Sequence, residues 1–345
     1  MRFAYFALVL GFAALAPLRA VAFEIEDSIF YPAQTGQITL QIISTADANV
    51  FEPIIAAFQQ DNPNINIQYV IASSTEVMKA IYEEGAVFDL AISSAMDLQT
   101  KLANDGFAQT YASNATETLP QWAIWRDQIF AFTQEPAVMI ISAPAFARLS
   151  PPETREDLIS LLRDNPEMFD GRIGTYDVRI SGAGYLFATQ DSRNSDSYWR
   201  LTEVMGRLNA KLYAGSGDMI RDVASGELAL AYNVVGSYAN SRLAEFPDLR
   251  IIRFSDYVNV MLRTALIPEN AENPVEAGLM IDFLVGLNAR PELEKLTSLP
   301  PIDPLRLQEN SAARPIRLGP GLLVFLDRLK KQNFLKNWVS SMEQE

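Results

Sequence analysis

The sequence of 345 residues contains neither cysteine nor histidine. Without cysteine it can form no disulfide, no thiolate nucleophile and no thiolate-bound metal site. Without histidine it lacks the commonest general base near neutral pH and the commonest zinc ligand. Carboxylate or lysine chemistry stays open to an enzyme, but no motif of that chemistry is present. We therefore expect a binding protein that uses no cofactor and no bound metal, and not an enzyme.

Positive charge and long apolar runs are also scarce. The chain has 28 lysines and arginines against 42 aspartates and glutamates. This balance disfavours nucleic acid and anionic membrane surfaces as partners. Beyond residue 22 no stretch is long and apolar enough to span a membrane, because charges, prolines and turn residues interrupt every apolar run.

The N-terminus has the pattern of a secretory signal peptide. Arg2 precedes a short apolar run over 3–16, and Ala20-Val21-Ala22 fits the small-x-small rule for cleavage before Phe23. The alternative, a retained membrane anchor, is disfavoured because the run is shorter than the roughly 20 residues that cross a bilayer. No cysteine is present for a lipid anchor. We therefore expect a periplasmic protein from which residues 1–22 are removed.

The mature chain has room for two domains. Removal of 22 from 345 residues leaves 323, which exceeds the size at which single cores stop growing. The signal holds Arg2 and Arg19 and no acid, so the mature charge is 26 minus 42, or −16. Two lobes with separate cores are expected.

Strand-like and helix-like segments alternate along this chain. The predicted strands cover residues 37–44, 65–72, 87–92, 128–133, 137–141, 172–176, 228–233, 249–254 and 260–266. The predicted helices cover residues 50–60, 76–84, 97–103, 153–164, 185–189, 197–208, 218–224, 236–243, 275–287, 291–297 and 322–344. The alternation predicts an α/β protein with two doubly wound lobes. Because no linker rich in glycine and serine is present, we expect crossing strands to join a lobe of residues 24–140 plus 264–345 to a lobe of residues 141–263.

Small and polar residues follow several predicted strands, where ligands bind in α/β sheets. The candidate ligand-binding residues at these strand ends and helix starts are Thr45, Asp47, Ser93, Ser94, Asp177, Ser181, Gly182, Ser216, Tyr232, Asn233 and Tyr238. Each group alone is more often an ordinary cap or turn, and a core tyrosine is the alternative interpretation of Tyr232. Arg126 is the cation expected near the ligand; the alternative is a surface arginine paired with Asp127 or Glu135.

These segments resemble a known family. The quoted motifs of the first third are Ser44-Thr45-Ala46-Asp47, Asp89 to Ser94, Trp125-Arg126-Asp127 and Thr133-Gln134-Glu135-Pro136. Those of the middle third are Gly174-Thr175-Tyr176-Asp177, Ser181-Gly182-Ala183-Gly184-Tyr185, Ser216-Gly217 and Tyr232-Asn233. Together they resemble the first family of bacterial extracellular solute-binding proteins, in the branch with ferric-iron, sugar-phosphate and phosphoglycerate-regulatory binding proteins. The resemblance implies the type II periplasmic binding fold, Glu135 among the binding residues, a monomer, and an ABC permease or a membrane sensor as partner.

The departures from the family bear on the ligand. Ferric-iron members resemble one another in an adjacent tyrosine pair, whereas Tyr232 and Tyr238 stand apart here and no histidine assists. The cap-rich strand ends favour a small phosphorylated or carboxylated anion, because N–H groups at helix starts stabilise negative charge. We expect such an anion, with iron(III) transport or a sensory role beside a two-component kinase as the alternatives. The segment 181–184 is expected to present free N–H groups to it.

Overall fold

A computed structural model of the protein describes residues 22–344, so the predicted signal peptide, apart from Ala22, lies outside the described residues. The strands, β1 to β12 in chain order, are Asp27–Tyr31, Ile38–Ser44, Ile65–Ile71, Leu90–Ser93, Ile124–Trp125, Ile129–Ser142, Ile173–Tyr176, Lys211–Tyr213, Leu230–Val235, Leu249–Ile252, Val258–Leu266 and Ala313–Pro315. The helices, α1 to α13, are Ala48–Asp61, Ser74–Tyr82, Met96–Asn104, Arg155–Asp164, Pro166–Phe169, Gly182–Asn194, Ser197–Arg207, Ser216–Ser225, Gly236–Ser241, Pro274–Val285, Pro291–Thr297, Pro304–Glu309 and Arg328–Met342. Within this range no helix combines the length and the apolar character that a membrane crossing requires.

The strands form one extended sheet in the order β1-β3-β2-β4-β11-β6-β9-β7-β8. Strand β2 runs parallel to β3 and β4, and β7 runs parallel to β8 and β9. Helices connect these parallel strands, which is why the central strands are buried on both faces. The predicted doubly wound α/β architecture is confirmed.

The sheet divides into two lobes at the antiparallel strands β6 and β11. Lobe 1 is the half from β1 to β4 with helices α1–α3, α10 and α11, and lobe 2 is the half from β7 to β9 with helices α4–α9 and α13. The first half of β6 pairs with β11, and its second half pairs with β9 and β10. Strand β11 pairs with β4 near its end. Both strands therefore cross from one lobe to the other.

Strand β6 differs from the two shorter strands that the sequence predicts. It continues through Pro136, which would interrupt a ladder because proline has no N–H to donate. Pro136 lies where β6 stops pairing with β11, and Ala137 begins the pairing with β9. The missing N–H donor thus lies where β6 exchanges β11 for β9 as its paired strand. The strand therefore continues through Pro136 and has 14 residues.

The last helix also differs from expectation. The sequence analysis placed all of residues 264–345 in the first lobe, but Phe334, Trp338 and Met342 of α13 lie in the core cluster of lobe 2. A side chain on Gly206 of α7 would meet the carbonyl oxygen of Ser341 at 2.2 Å, so the two helices pack closely. The apolar stripe of α13 predicts a buried face but does not say which lobe covers it.

Candidate ligand-binding cleft

A cavity of about 540 Å³ lies between the two lobes, at the starts of helices α1, α2, α6 and α8. Its polar lining residues are Thr45, Asp47, Asn49, Ser73, Ser74 and Ser94 from lobe 1, Tyr176, Ser181, Ser216, Asp218, Arg221, Tyr238, Ser241 and Arg242 from lobe 2, Glu26 before β1, and Arg263 on β11. Six of the predicted site residues are thus brought together, namely Thr45, Asp47, Ser94, Ser181, Ser216 and Tyr238.

The lobes touch at the margins of this cavity. The Gly182 N–H donates to Ser74 Oγ at 3.1 Å, and the Asp47 N–H donates to the Tyr238 hydroxyl at 3.4 Å. A Cβ added at Gly182 would approach Ser74 Oγ to 2.5 Å, which is shorter than any ordinary contact. Gly182 therefore allows the two helix starts to meet, and the structure shows the cleft in a closed arrangement.

Several hydroxyls in the cleft accept a backbone hydrogen bond and keep their own hydrogen free to donate. Thr45 Oγ1 accepts from the Ser94 N–H at 3.2 Å, and Ser181 Oγ accepts from the Gly184 N–H at 3.2 Å. Ser74 Oγ accepts from the Gly182 N–H. A hydroxyl has one donor hydrogen and two acceptor lone pairs, so each of these groups retains an O–H, which Thr45 shares with Ser94 Oγ at 3.5 Å. The expectation of free N–H groups over 181–184 is wrong for residues 181, 182 and 184, because the Asp177 carbonyl, Ser74 Oγ and Ser181 Oγ already accept from them.

Arg263 provides the strongest polar feature of the cleft. Its side chain is 1% exposed, and its Nε and Nη2 donate to the two carboxylate oxygens of Glu135 at 2.9 and 3.2 Å. Thr133 and Ser237 also donate to Glu135, which holds the carboxylate in place. The remaining nitrogen, Nη1, is buried and has no hydrogen-bond partner among the described residues. A buried donor without a partner costs free energy, and Arg263 is among the residues that line the cavity.

The cleft also contains three carboxylates. Burial raises the pKa of Glu26, and repulsion from Asp47 and Asp218 raises it further. Burial likewise raises the pKa of Asp47, although Arg263 and Arg242 oppose this. Within residues 22–344 no group of three acidic side chains is placed to hold a metal ion. The cleft is therefore of mixed charge.

Arg126 is not the cation of the cleft. It occupies a tight turn between β5 and β6, where Arg126 and Asp127 have φ angles of 56° and 52°. The Gln128 N–H donates to the carbonyl of Trp125, and the guanidinium of Arg126 stacks on the Trp125 ring at 4.4 Å. Its exposed position corrects the expectation from sequence, and Arg221, Arg242 and Arg263 line the cavity instead.

Three further predicted residues have structural partners outside the cavity. Ser93 Oγ accepts from the Ala95 N–H at 3.1 Å, in the turn that precedes α3. Asp177 accepts two hydrogen bonds from the Arg179 guanidinium. Glu135 is bonded to Arg263 and is not among the residues that line the cavity. These residues do not line the cleft.

Tyr232 and Asn233 are buried in lobe 2 and not in the cleft. Both bond Asp191 of α6, at 2.8 Å from the tyrosine hydroxyl and 2.7 Å from the Asn233 amide. Successive strand residues normally face opposite ways, but β9 bulges here, with its register to β6 shifted between Val138 and Ile140. Asn233 takes a φ of 63°, in the left-handed region that asparagine tolerates. The bulge turns both side chains towards one carboxylate.

The sequence analysis missed Arg263, Ser74, Tyr176 and Glu26. A signal for the first was present, because Arg263 is the only charged residue in the nine-residue strand β11 and Glu135 is the only charged residue in the longer strand β6. Charges of opposite sign in two apolar strands indicate a buried pair when the strands are neighbours. The pairing of β6 with β11 could not be known from either segment alone.

Comparison with known proteins places the chain among binding proteins. The family profile of bacterial extracellular solute-binding proteins matches residues 40–295. The substrate-binding protein of an ABC transporter from Agrobacterium tumefaciens is 32% identical, with a TM-score of 0.87, over 92% of this chain and 98% of that one. A search of the curated proteins gives no match.

Two more distant structures share the fold. The periplasmic binding protein AfuA of Actinobacillus pleuropneumoniae, with fructose-6-phosphate bound, is 14% identical with a TM-score of 0.72, over 90% of this chain and all of that one. The apo ferric ion-binding protein A of Pasteurella haemolytica is 18% identical with a TM-score of 0.62, over 88% of this chain and 96% of that one.

Proposed function

The chain belongs to the bacterial extracellular solute-binding proteins, and on this premise we propose that it captures a small anionic solute, phosphorylated or carboxylated, between its lobes. The family resemblance, the periplasmic-binding fold and the absence of an enzymatic role that the sequence predicted are confirmed. The protein is the substrate-binding protein of an ABC transporter, whose partners are a small ligand and a permease.

The observation that carries the proposal is the unpartnered Nη1 of Arg263. Glu135 accepts one hydrogen from Nε and one from Nη2, so both hydrogens of Nη1 remain available to an acceptor. A guanidinium donates its strongest hydrogen bonds to carboxylate and phosphate oxygens. An anionic solute would satisfy this donor.

The surrounding groups support an anion as well. Thr45, Ser74 and Ser181 each offer an O–H, and the starts of α1 and α8 have no side-chain cap. Helix starts favour negative charge. These groups come from both lobes, so a solute bound to them would hold the cleft shut.

Iron(III), which some structural relatives bind, is the less favoured ligand. Tyr232 is the phenol expected from the sequence, but its hydroxyl accepts from Arg155 Nε at 2.7 Å and donates to Asp191. Burial raises the pKa of Tyr238 to about 12 and also raises the pKa of Tyr176, which disfavours phenolates in the cleft. The structure therefore offers no preformed phenolate pair.

Native mass spectrometry of protein released directly from the periplasm tests the proposal. We expect a bound solute with a phosphate or carboxylate group, retained in Arg126→Gln, whose arginine lies outside the cavity. Arg263→Lys keeps a cation beside Glu135 but removes the planar guanidinium, which can donate to Glu135 and to the solute at once. The affinity for that solute should therefore fall at least tenfold. Thr45→Val, which leaves the buried pair intact, should weaken binding to a smaller extent.

Two kinds of result would contradict the proposal that the cleft binds an anion. A neutral solute, or iron(III) with a phenolate absorption band that Tyr238→Phe abolishes, would contradict anion binding. Unchanged affinity in a folded Arg263→Lys protein would remove Arg263 from the site.

A further inference from the structure

Two carboxylates facing the cleft have no partner in the described part of the chain. Glu26 and Asp47 line the cavity, and among residues 22–344 the carboxylate of neither forms a hydrogen bond or an ion pair. The third carboxylate, Asp218, pairs with Arg221. Arg242 pairs with Glu245. The unbalanced charges of the cleft are thus the two carboxylates of Glu26 and Asp47.

These carboxylates lie beside the anion subsite. The Asp47 N–H donates to the Tyr238 hydroxyl at 3.4 Å, and the guanidinium of Arg263 lies 5.7 Å from the centre of the Tyr238 ring. Both carboxylates are partly withdrawn from water, which disfavours their charge. A positive group in the cavity would remove this cost.

An ammonium group fits these two carboxylates better than a metal ion does. Within residues 22–344 no three acidic side chains are close enough together to coordinate one. Hydroxyls and carboxylates that are spread over a wider surface match an ammonium group, which carries several donors and needs no tight coordination shell.

We propose that the solute is a compact zwitterion, with its oxyanion at Nη1 of Arg263 and its ammonium group between Glu26 and Asp47. This inference rests on the proposed function and narrows its ligand class. The Asp47 backbone and the Arg263 guanidinium both approach Tyr238, so we expect the two charges of the solute to be separated by only a few bonds.

Matched probes that differ only in the amine separate this inference from the proposed function. The first pair is O-phosphorylethanolamine and ethyl phosphate, the second is β-alanine and propionate, and ethanolamine serves as the probe without an acid. Each is titrated by calorimetry into ligand-free mature protein. The variants are Asp47→Asn, Glu26→Gln, Arg263→Lys and, as a control on an exposed acid outside the cleft, Asp164→Asn.

We expect the amine-bearing member of at least one pair to bind ten or more times more tightly than its partner. Asp47→Asn and Glu26→Gln should each reduce that ratio at least threefold without weakening the amine-free acid, and Asp164→Asn should leave the ratio unchanged. Asp47 makes no side-chain cap, so its variant should fold normally.

Equal affinities within both pairs would contradict the zwitterion and leave anion binding intact. Ethanolamine binding as tightly as the phosphorylated probe, or no dependence on Arg263→Lys, would contradict the anion subsite and with it the proposed function. Failure of all five probes to bind would contradict both.

Discussion

Asp191 should be one of the most sensitive positions for stability. Its carboxylate is fully buried, and Tyr232 and Asn233 donate to Oδ2 while Tyr257 and Asn259 donate to Oδ1 at 3.0 and 2.8 Å. The guanidinium of Arg155 lies 3.6 Å away and is equally buried. Asp191→Ala would leave this cation and four donors without their common acceptor.

The expected loss of stability in Asp191→Ala follows from the number of groups that this carboxylate bonds. Removal of one partner from a buried ion pair costs about 3–5 kcal/mol, and each unsatisfied donor adds to it. Arg155 keeps Asp256 at 2.8 Å, which limits the loss. We therefore expect the free energy of unfolding to fall by about 4 kcal/mol, a large part of the roughly 5–15 kcal/mol that stabilises a domain.

Urea denaturation followed by circular dichroism measures this loss, with Asp196→Ala as the control on an exposed acid of the next turn. The control should change stability by less than about 0.5 kcal/mol. A loss below about 1 kcal/mol in Asp191→Ala would refute the argument that this carboxylate organises lobe 2. Any residual folded protein should bind its solute normally, because Asp191 does not line the cleft.

Gly182→Leu should weaken solute binding by about 1–3 kcal/mol, up to about a hundredfold, because its side chain would push against Ser74 where the lobes meet. The control Gly321→Leu places its side chain in open space and should leave the affinity unchanged. Equal affinities of the two variants by calorimetry would show that the cleft tolerates a leucine at position 182. Burial raises the pKa of Asp97 to about 6 from 3.8, so the folded protein holds a proton that the unfolded chain releases, and stability should fall as the pH rises from about 4 to 6. Asp97→Asn should raise the free energy of unfolding at pH 7 by about 3 kcal/mol in thermal melts, and unchanged pH dependence between 4 and 6 would exclude Asp97 as its source. Intact-mass measurement of the exported protein should give Phe23 as its first residue, and a retained N-terminal segment would contradict signal cleavage.

Periodicity was sufficient to predict most of the fold. Strand β2 and helix α1 have a continuous apolar run and a helical apolar stripe, and each was placed within about two residues. Strand β1 was missed because it is a five-residue antiparallel edge strand with an exposed pattern, stabilised by its pairing with β3. Short edge strands depend on a neighbour that the local sequence does not contain.

The binding residues that were predicted and those that were missed differ in the same way, by whether their role depends on a partner elsewhere in the chain. Thr45, Ser94, Ser181 and Ser216 were predictable, because a small polar residue at a strand end or helix start marks the edge of the sheet where ligands bind. Arg263 was not identified, because its role depends on a partner in another strand. Tyr232 and Asn233 were assigned to the cleft because a regular strand was assumed, whereas the bulge in β9 turns them inward.

The bulge in β9 has a consequence for how relatives of this protein would be compared. Tyr232 and Asn233 both donate to Asp191, so we expect a change at any of the three to be selected against even when the transported solute changes. Tyr232-Asn233 would then stay invariant across proteins with different cargoes, while the cleft residues diverge. A search for specificity determinants that ranks positions by invariance would select the scaffold of lobe 2, and the variable positions around Arg263 would hold the information about cargo.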